Sequence, residues 1–187
     1  MRTLPGSLCL TFLLAGALLP EPILHAQDST QKAAQIDSTW LSYDAATKTV
    51  HFQLIAGLTG LNGALNFNGF GDGGLVLEVP AGSKVVVDFT NNDGMLPHSA
   101  EVIAAKLPVP TAAVQPAIQR AYTDKLDEGL PPLAKNGMTF TANPPGDYFF
   151  FCGVPGHGQG GMYIGLKVSS TAMAPRLMPA PKKPGAK

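Results

Sequence analysis

Pro144-Pro145-Gly146-Asp147-Tyr148-Phe149-Phe150-Phe151-Cys152-Gly153-Val154-Pro155-Gly156-His157-Gly158-Gln159-Gly160-Gly161-Met162 is the stretch that decides the reading of this chain. A Pro/Gly turn signal opens it, an aromatic run of strand character follows, and a cysteine ends that strand. A Gly/Pro loop then carries a histidine, and a second glycine-rich loop leads to a methionine at the head of a new strand, Met162 to Val168. His157 lies five positions after Cys152, and Met162 five after His157. So short a loop between adjacent strands brings a thiolate, an imidazole and a thioether to one point. The glycines at 153, 156, 158, 160 and 161 permit the tight backbone this needs.

Alone, each of these residues has an ordinary explanation. A lone cysteine is commonly a small buried hydrophobe, a methionine beside glycines is commonly core, and a loop histidine is commonly solvated. In this order and at this spacing they form a soft ligand set that favours copper cycling between two oxidation states. A planar copper site needs a second imidazole. His98, far upstream at a strand start after Leu96-Pro97, supplies it. The expected metal ligands are therefore His98, Cys152, His157 and Met162, around one copper ion. His51, the other histidine beyond the leader, alternates with Val50 and Phe52 on a strand and so points to the polar face, with no metal role.

The rest of the chain supports an all-β fold. Strand-like runs bounded by Gly, Asn and Pro occupy Thr49 to Ile55, Ala64 to Asn68, Leu75 to Val79, Lys84 to Phe89, Ser99 to Ala104, Met138 to Ala142 and Asp147 to Phe151, before Met162 to Val168. Short strands at this density, with 21 Gly and 17 Pro among 187 residues, point to a β-sandwich. One segment departs. Pro116 to Glu128 has apolar residues at Ile118, Ala121, Tyr122 and Leu126, and the spacing predicts a short helix inserted between the His98 strand and the Cys152 strand. The expected organisation is a signal at 1–26, a polar lead-in at 27–48, one domain at 49–170 and a disordered Pro/Ala/Lys tail at 171–187.

The first 26 residues read as a secretory signal. Arg2 gives the positive start, Leu8 to Leu19 the apolar stretch, Pro20-Glu21-Pro22 the break and Leu24-His25-Ala26 an imperfect small-residue cleavage site. The apolar run is short against the roughly 20 residues of a membrane span. Cleavage after Ala26 places the mature chain in the periplasm or outside the cell. It also removes Cys9, leaving Cys152 as a single thiol in an oxidising compartment, where a bound metal would protect it.

Composition excludes some classes. At 45% hydrophobic and 14% charged the chain has material for a core and too little charge for disorder. The 13 basic and 13 acidic residues balance, but Arg176, Lys182, Lys183 and Lys187 sit in the tail. The body is thus mildly acidic and offers no nucleic-acid surface.

On these residues the chain resembles the cupredoxins, the small blue-copper proteins, over about Thr49 to Val168. Within them it is most similar to the sulfocyanin and rusticyanin group, through the Cys-to-His-to-Met spacing, Asn66-Phe67-Asn68-Gly69 before Leu75-Val76-Leu77-Glu78-Val79-Pro80, and Leu96-Pro97-His98-Ser99. The resemblance implies a Greek-key β-sandwich with copper near one end, His98, Cys152 and His157 as equatorial ligands and Met162 as the weak axial one. Many cupredoxins carry Asn after the first His; here Ser99 stands there, as in the rusticyanin-like group. The expected function is single-electron transfer between redox partner proteins such as cytochromes or oxidases by a monomer that is not an enzyme. Leu96, Pro97, Val154 and Pro155 would form an apolar docking patch around His157. A multicopper oxidase would flank the copper cysteine with histidines, where this chain has Phe151 and Gly153, and a binuclear copper site needs two cysteines. A copper carrier handing its ion to another exported protein remains open on the same ligands.

Overall fold

The computed structural model describes residues 35–181. The expected signal, residues 27–34 of the lead-in and the last six residues lie outside that range. Among the described residues nine strands form two mixed sheets: β1 (Leu41–Asp44), β2 (Thr49–Ala56), β3 (Leu75–Pro80), β4 (Lys84–Asn91), β5 (Glu101–Ala104), β6 (Lys135–Thr141), β7 (Gly146–Phe151), β8 (Tyr163–Ser169) and β9 (Arg176–Pro179). One sheet runs β1-β2-β4-β6 and the other β5-β7-β8-β3-β9. The pairs β2/β4 and β3/β8 are parallel and the rest antiparallel, so the chain crosses between sheets as a Greek-key sandwich does.

Alternation builds the core. Val50, Phe52 and Leu54 of β2 and Val85, Val87 and Phe89 of β4 are buried, while His51, Gln53, Lys84 and Asp88 between them face out. His51 is thus exposed and away from the site, as its alternation requires. From the other sheet Leu75, Leu77, Phe150, Ile164 and Leu166 close the layer, and Phe52 meets Phe150 with ring centroids 5.8 Å apart. A smaller cluster of Ile103, Val109, Phe151 and Tyr163 lies on the outer side of the five-stranded sheet.

Four expectations are corrected. Pro116 to Glu128 is not a helix. Ile118 and Ala121 are buried, as the apolar spacing requires, but the backbone spends its hydrogen bonds on the edge of the sheet. Ala117 and Thr123 donate to Val102 and Ala100 (2.8 Å each), and Ala121 accepts from Val102 (2.8 Å). Arg120 and Lys125 are left-handed, at φ 65 and 53°, which interrupts any helix. Ala64 to Asn68 is not a strand either: Leu61–Ala64 is a 3₁₀ turn, and Asn68 bonds the β2 backbone with its side chain, accepting from Ile55 N–H and donating to Gln53 C=O. Within the supposed tail, Arg176–Pro179 is strand β9 on the edge of β3, latched by Arg176 to the buried carboxylate of Glu78. Within the supposed lead-in, Leu41–Asp44 is strand β1, paired with β2.

Candidate metal centre

The site forms where β7 ends, β8 begins and the loop after β4 returns. Cys152 follows the last residue of β7, and its N–H donates to Met162 C=O (3.1 Å) while Met162 N–H donates to His157 C=O (3.1 Å). The ligand loop is thus closed by its own backbone. The glycines serve two purposes in it. Gly156 and Gly161 take φ of 83 and 95°, a region that side chains disfavour. Gly158 has ordinary φ but lies so close to the Phe151 ring that a Cβ would overlap it.

His98 is set from the other side. Asn91, buried at the end of β4, donates through its amide to Leu96, Leu130 and Pro131 carbonyls (2.9–3.1 Å) and accepts from Asp93 N–H (3.0 Å). Asp93 Oδ1 accepts from Met95 and Leu96 N–H, and its Oδ2 lies 3.1 Å from His98 Nε2. Burial alone would raise the Asp93 carboxyl, but the Met95, Leu96 and His98 hydrogen bonds outweigh it and hold it below the usual range. An ionised Asp93 only accepts, so the Nε2 of His98 carries the proton and its Nδ1 presents a lone pair.

That lone pair faces the other donors. His98 Nδ1 is 3.2 Å from His157 Nδ1, which is 3.6 Å from Cys152 Sγ. Ligand atoms of His98, Cys152 and His157 all lie within 4.8 Å of one another. Met162, fully buried, stands at the far end of the same loop. Burial pushes the Cys152 thiol up to about 11 against hydrogen bonds from Ser99 and Val154, and pushes His157 down to about 4, with His98 adding to the effect. Burial likewise lowers His98, although Asp93 pulls the other way. Two neutral imidazole lone pairs and a thiol that can yield a thiolate converge on one point, a donor set that suits a soft metal ion.

Ser99 holds the sulfur. Its N–H donates to Cys152 Sγ (3.4 Å), its hydroxyl donates to Leu126 C=O (2.7 Å) and accepts from Gly153 N–H (3.1 Å). The structure therefore brings together His98, Cys152 and His157, with Met162 beside them, and leaves His51 out. Sequence reasoning missed Asp93 and Asn91. They stand in the Asn91-Asn92-Asp93-Gly94 run that reads only as a turn, and an Asx residue in a turn near a ligand was the one available signal.

A family model described as the sulfocyanin (SoxE) domain matches residues 37–178. The chain belongs to the sulfocyanin family. Among curated proteins, sulfocyanin of Sulfolobus acidocaldarius is 31% identical over 140 residues, covering 71% of this chain and 70% of the relative. Rusticyanin of Acidithiobacillus ferridurans is 31% identical over 157 residues, covering 72% and 82%. A solved structure of rusticyanin from Thiobacillus ferrooxidans is similar at 28% identity and a TM-score of 0.47, covering 73% of this chain and 86% of that one. Membership makes the chain a cupredoxin of the sulfocyanin and rusticyanin group, and that group implies one type 1 copper ion and electron transfer. The donor set fits that ion in number and softness.

Proposed function

We propose that the chain is an exported single-electron carrier whose copper is held by His98, Cys152 and His157, with Met162 as a weak axial donor. The observation that carries this reading is the convergence of two imidazole nitrogens and one thiol within 4.8 Å. Bound copper supplies a one-electron couple. The protein's part is to hold the donors still, so that gaining or losing an electron moves little. The closed Cys152–Met162 backbone, the Ser99 N–H on sulfur and the Asp93 carboxylate on His98 do this. Cys152 must lose the proton that burial otherwise keeps on it, so loading releases a proton.

Burial of Cys152 and His98 to zero exposure favours a retained ion over one passed to a recipient, and so favours the electron carrier. His157 is only half-buried and offers the route out. Leu96 and Pro155 are exposed and Pro97 half-buried; Gly129 places Pro97 beside Val154. Val154 itself is buried, so the docking patch is Leu96, Pro97 and Pro155, joined by Met95 at 85% exposure. A small apolar patch suits brief redox encounters. Arg2 and the Leu8 to Leu19 run support export. Among the described residues no helix is long and apolar enough to cross a membrane.

The test is the visible and electron-spin spectrum of the copper-loaded protein. An intense sulfur-to-copper band that gives the protein a blue colour is expected, with one copper per chain. A colourless copper complex would refute the ligand assignment.

A further inference from the structure

Glu101 is a buried carboxyl with no role so far. It has no exposed surface, and its Oε1 accepts one hydrogen bond, from Val114 N–H at 3.0 Å. Its Oε2 is buried without a partner. Among the described residues no Lys, Arg or His comes within 4 Å of it, since the ion pairs there involve only Glu78 and Asp93. A carboxylate in such a place keeps its charge only at high cost, and a proton removes the cost.

Its position in the sheet matters as much. Glu101 pairs with Phe151, the residue before Cys152. Opposed residues share a face, so Glu101 stands with Phe151 on the outer side of the strand, while Cys152 faces the core. The carboxyl is therefore on the neighbouring strand, one residue along from the thiol position and on the opposite face of the sheet, and its charge bears on Cys152. The segment between β5 and β6 covers it, through the Tyr122 backbone bridge and Val114. The groups facing it are Phe151 from β7 and Val114 and Tyr122 from the cover, with Asp127 as the cover's charge acting on it. Lys106, Arg120, Asp124, Lys125 and Glu128 of that segment are exposed.

We propose that Glu101 is a redox-linked proton site, so that the protein takes up a proton with its electron. The proposal rests on the copper reading above. Reduction adds one electron, from the donor protein, to the Cys152-centred site and one proton, from solvent, to a Glu101 carboxylate oxygen; oxidation releases both. The cause is electrostatic. The oxidised site carries one more positive charge and favours the carboxylate, and the reduced site favours the neutral acid. Burial first, and then Asp127, raise this carboxyl to about 7, where a modest push from the metal site changes its occupancy.

The test compares wild type with Glu101→Gln, both copper-loaded and blue. The wild-type reduction potential falls as pH rises through about 7, by at most about a tenfold change in the electron-binding equilibrium per pH unit. The Gln variant holds the low-pH wild-type value across that window, apart from any slope the two proteins share. Redox-difference infrared spectra of wild type alone give a second readout: a protonated-carboxyl C=O band appears on reduction near neutral pH. Potentials that run parallel at every pH, or no such band, overturn the proposal while the blue colour leaves the copper reading standing. A colourless protein overturns the copper reading and the linkage together. In that event the pH-dependence of apo-protein stability, which falls from about pH 4.5 to 7 in wild type relative to Gln, still reports whether Glu101 holds its proton.

Discussion

Two segments meet at the site and are built on opposite plans. The ligand loop from Cys152 to Met162 is short, glycine-rich and closed on itself by Cys152–Met162 and Met162–His157 backbone bonds. The cover from Ala105 to Leu130 is long and almost without regular structure, and it owes its shape to what it lies on. Ala113 N–H donates to Gly153 C=O and Gly156 N–H to Thr111 C=O, both at 2.8 Å; His98 and Leu130 exchange backbone bonds; Ser99 reaches Leu126. The lesson is that chemistry sits in the self-determined segment, while the dependent segment supplies burial and fixes His98 and Ser99. Changes in the loop should therefore alter colour and potential, and changes along the seam should alter stability.

The largest effect expected is total. Cys152→Ser removes the only sulfur donor of the equatorial set, and the copper-loaded variant should lose its blue band completely in the visible spectrum. Retained colour would mean that the loop does not hold the chemistry. Gly158→Ala comes next. Its Cβ would overlap the Phe151 ring, which is itself fully buried beside Ile103 and Tyr163 and has nowhere to retreat. Overpacking of this kind costs about 1–3 kcal/mol. We expect the upper end, read as a lower urea midpoint of the apo protein with unchanged slope.

How much of this was legible in the sequence follows the same division. The ligand loop could be read because its residues act within a window of eleven positions, where spacing implies geometry. Of the six runs read as strands besides the ligand-loop pair, five are strands and one is a loop. β2, β4 and β6 carry an alternation and β3 a near-continuous apolar run, whereas Ala64 to Asn68 alternates as well and is a loop, because Asn66 and Asn68 bond backbone with their side chains. β1 and β9 are four-residue edge strands, stabilised by pairing with β2 and β3 rather than by a pattern of their own. Pro116 to Glu128 misled because 3.6-residue spacing reports which residues are buried and not which backbone they hang from. A neighbouring sheet edge took the hydrogen bonds a helix would have kept. Asn91 was hidden because its partners lie up to 40 residues away, and Asp93, five residues from His98, stands in a run that reads as a turn.

The seam itself is probed by Ser99→Ala. The substitution leaves Gly153 N–H and Leu126 C=O without their partner, at a cost of about 1–3 kcal/mol for groups held from water. The Ser99 N–H on Cys152 Sγ belongs to the backbone and remains. Thermal unfolding should therefore come at lower temperature while the blue band keeps its intensity. A variant that melts like the wild type but loses its colour would reverse the assignment of roles to loop and seam.

The smallest effect expected, and the sharpest discrimination, is at Met162. Its backbone closes the ligand loop whatever the side chain, through the bonds to Cys152 and His157. The fully buried side chain has two candidate roles, packing and axial donation. Met162→Leu nearly conserves volume and should cost less than about 1.5 kcal/mol. As a packing residue, Met162 would then leave the potential where it was. As a weak donor, its loss removes electron density that favours the cupric ion, so Leu should keep copper and colour and raise the reduction potential. Met162→Gln places a harder oxygen donor in the same position and should lower it. Voltammetry of the two variants separates the roles: potentials that move in opposite directions around the wild-type value require a donor, and two unmoved potentials reduce Met162 to a filler of the core.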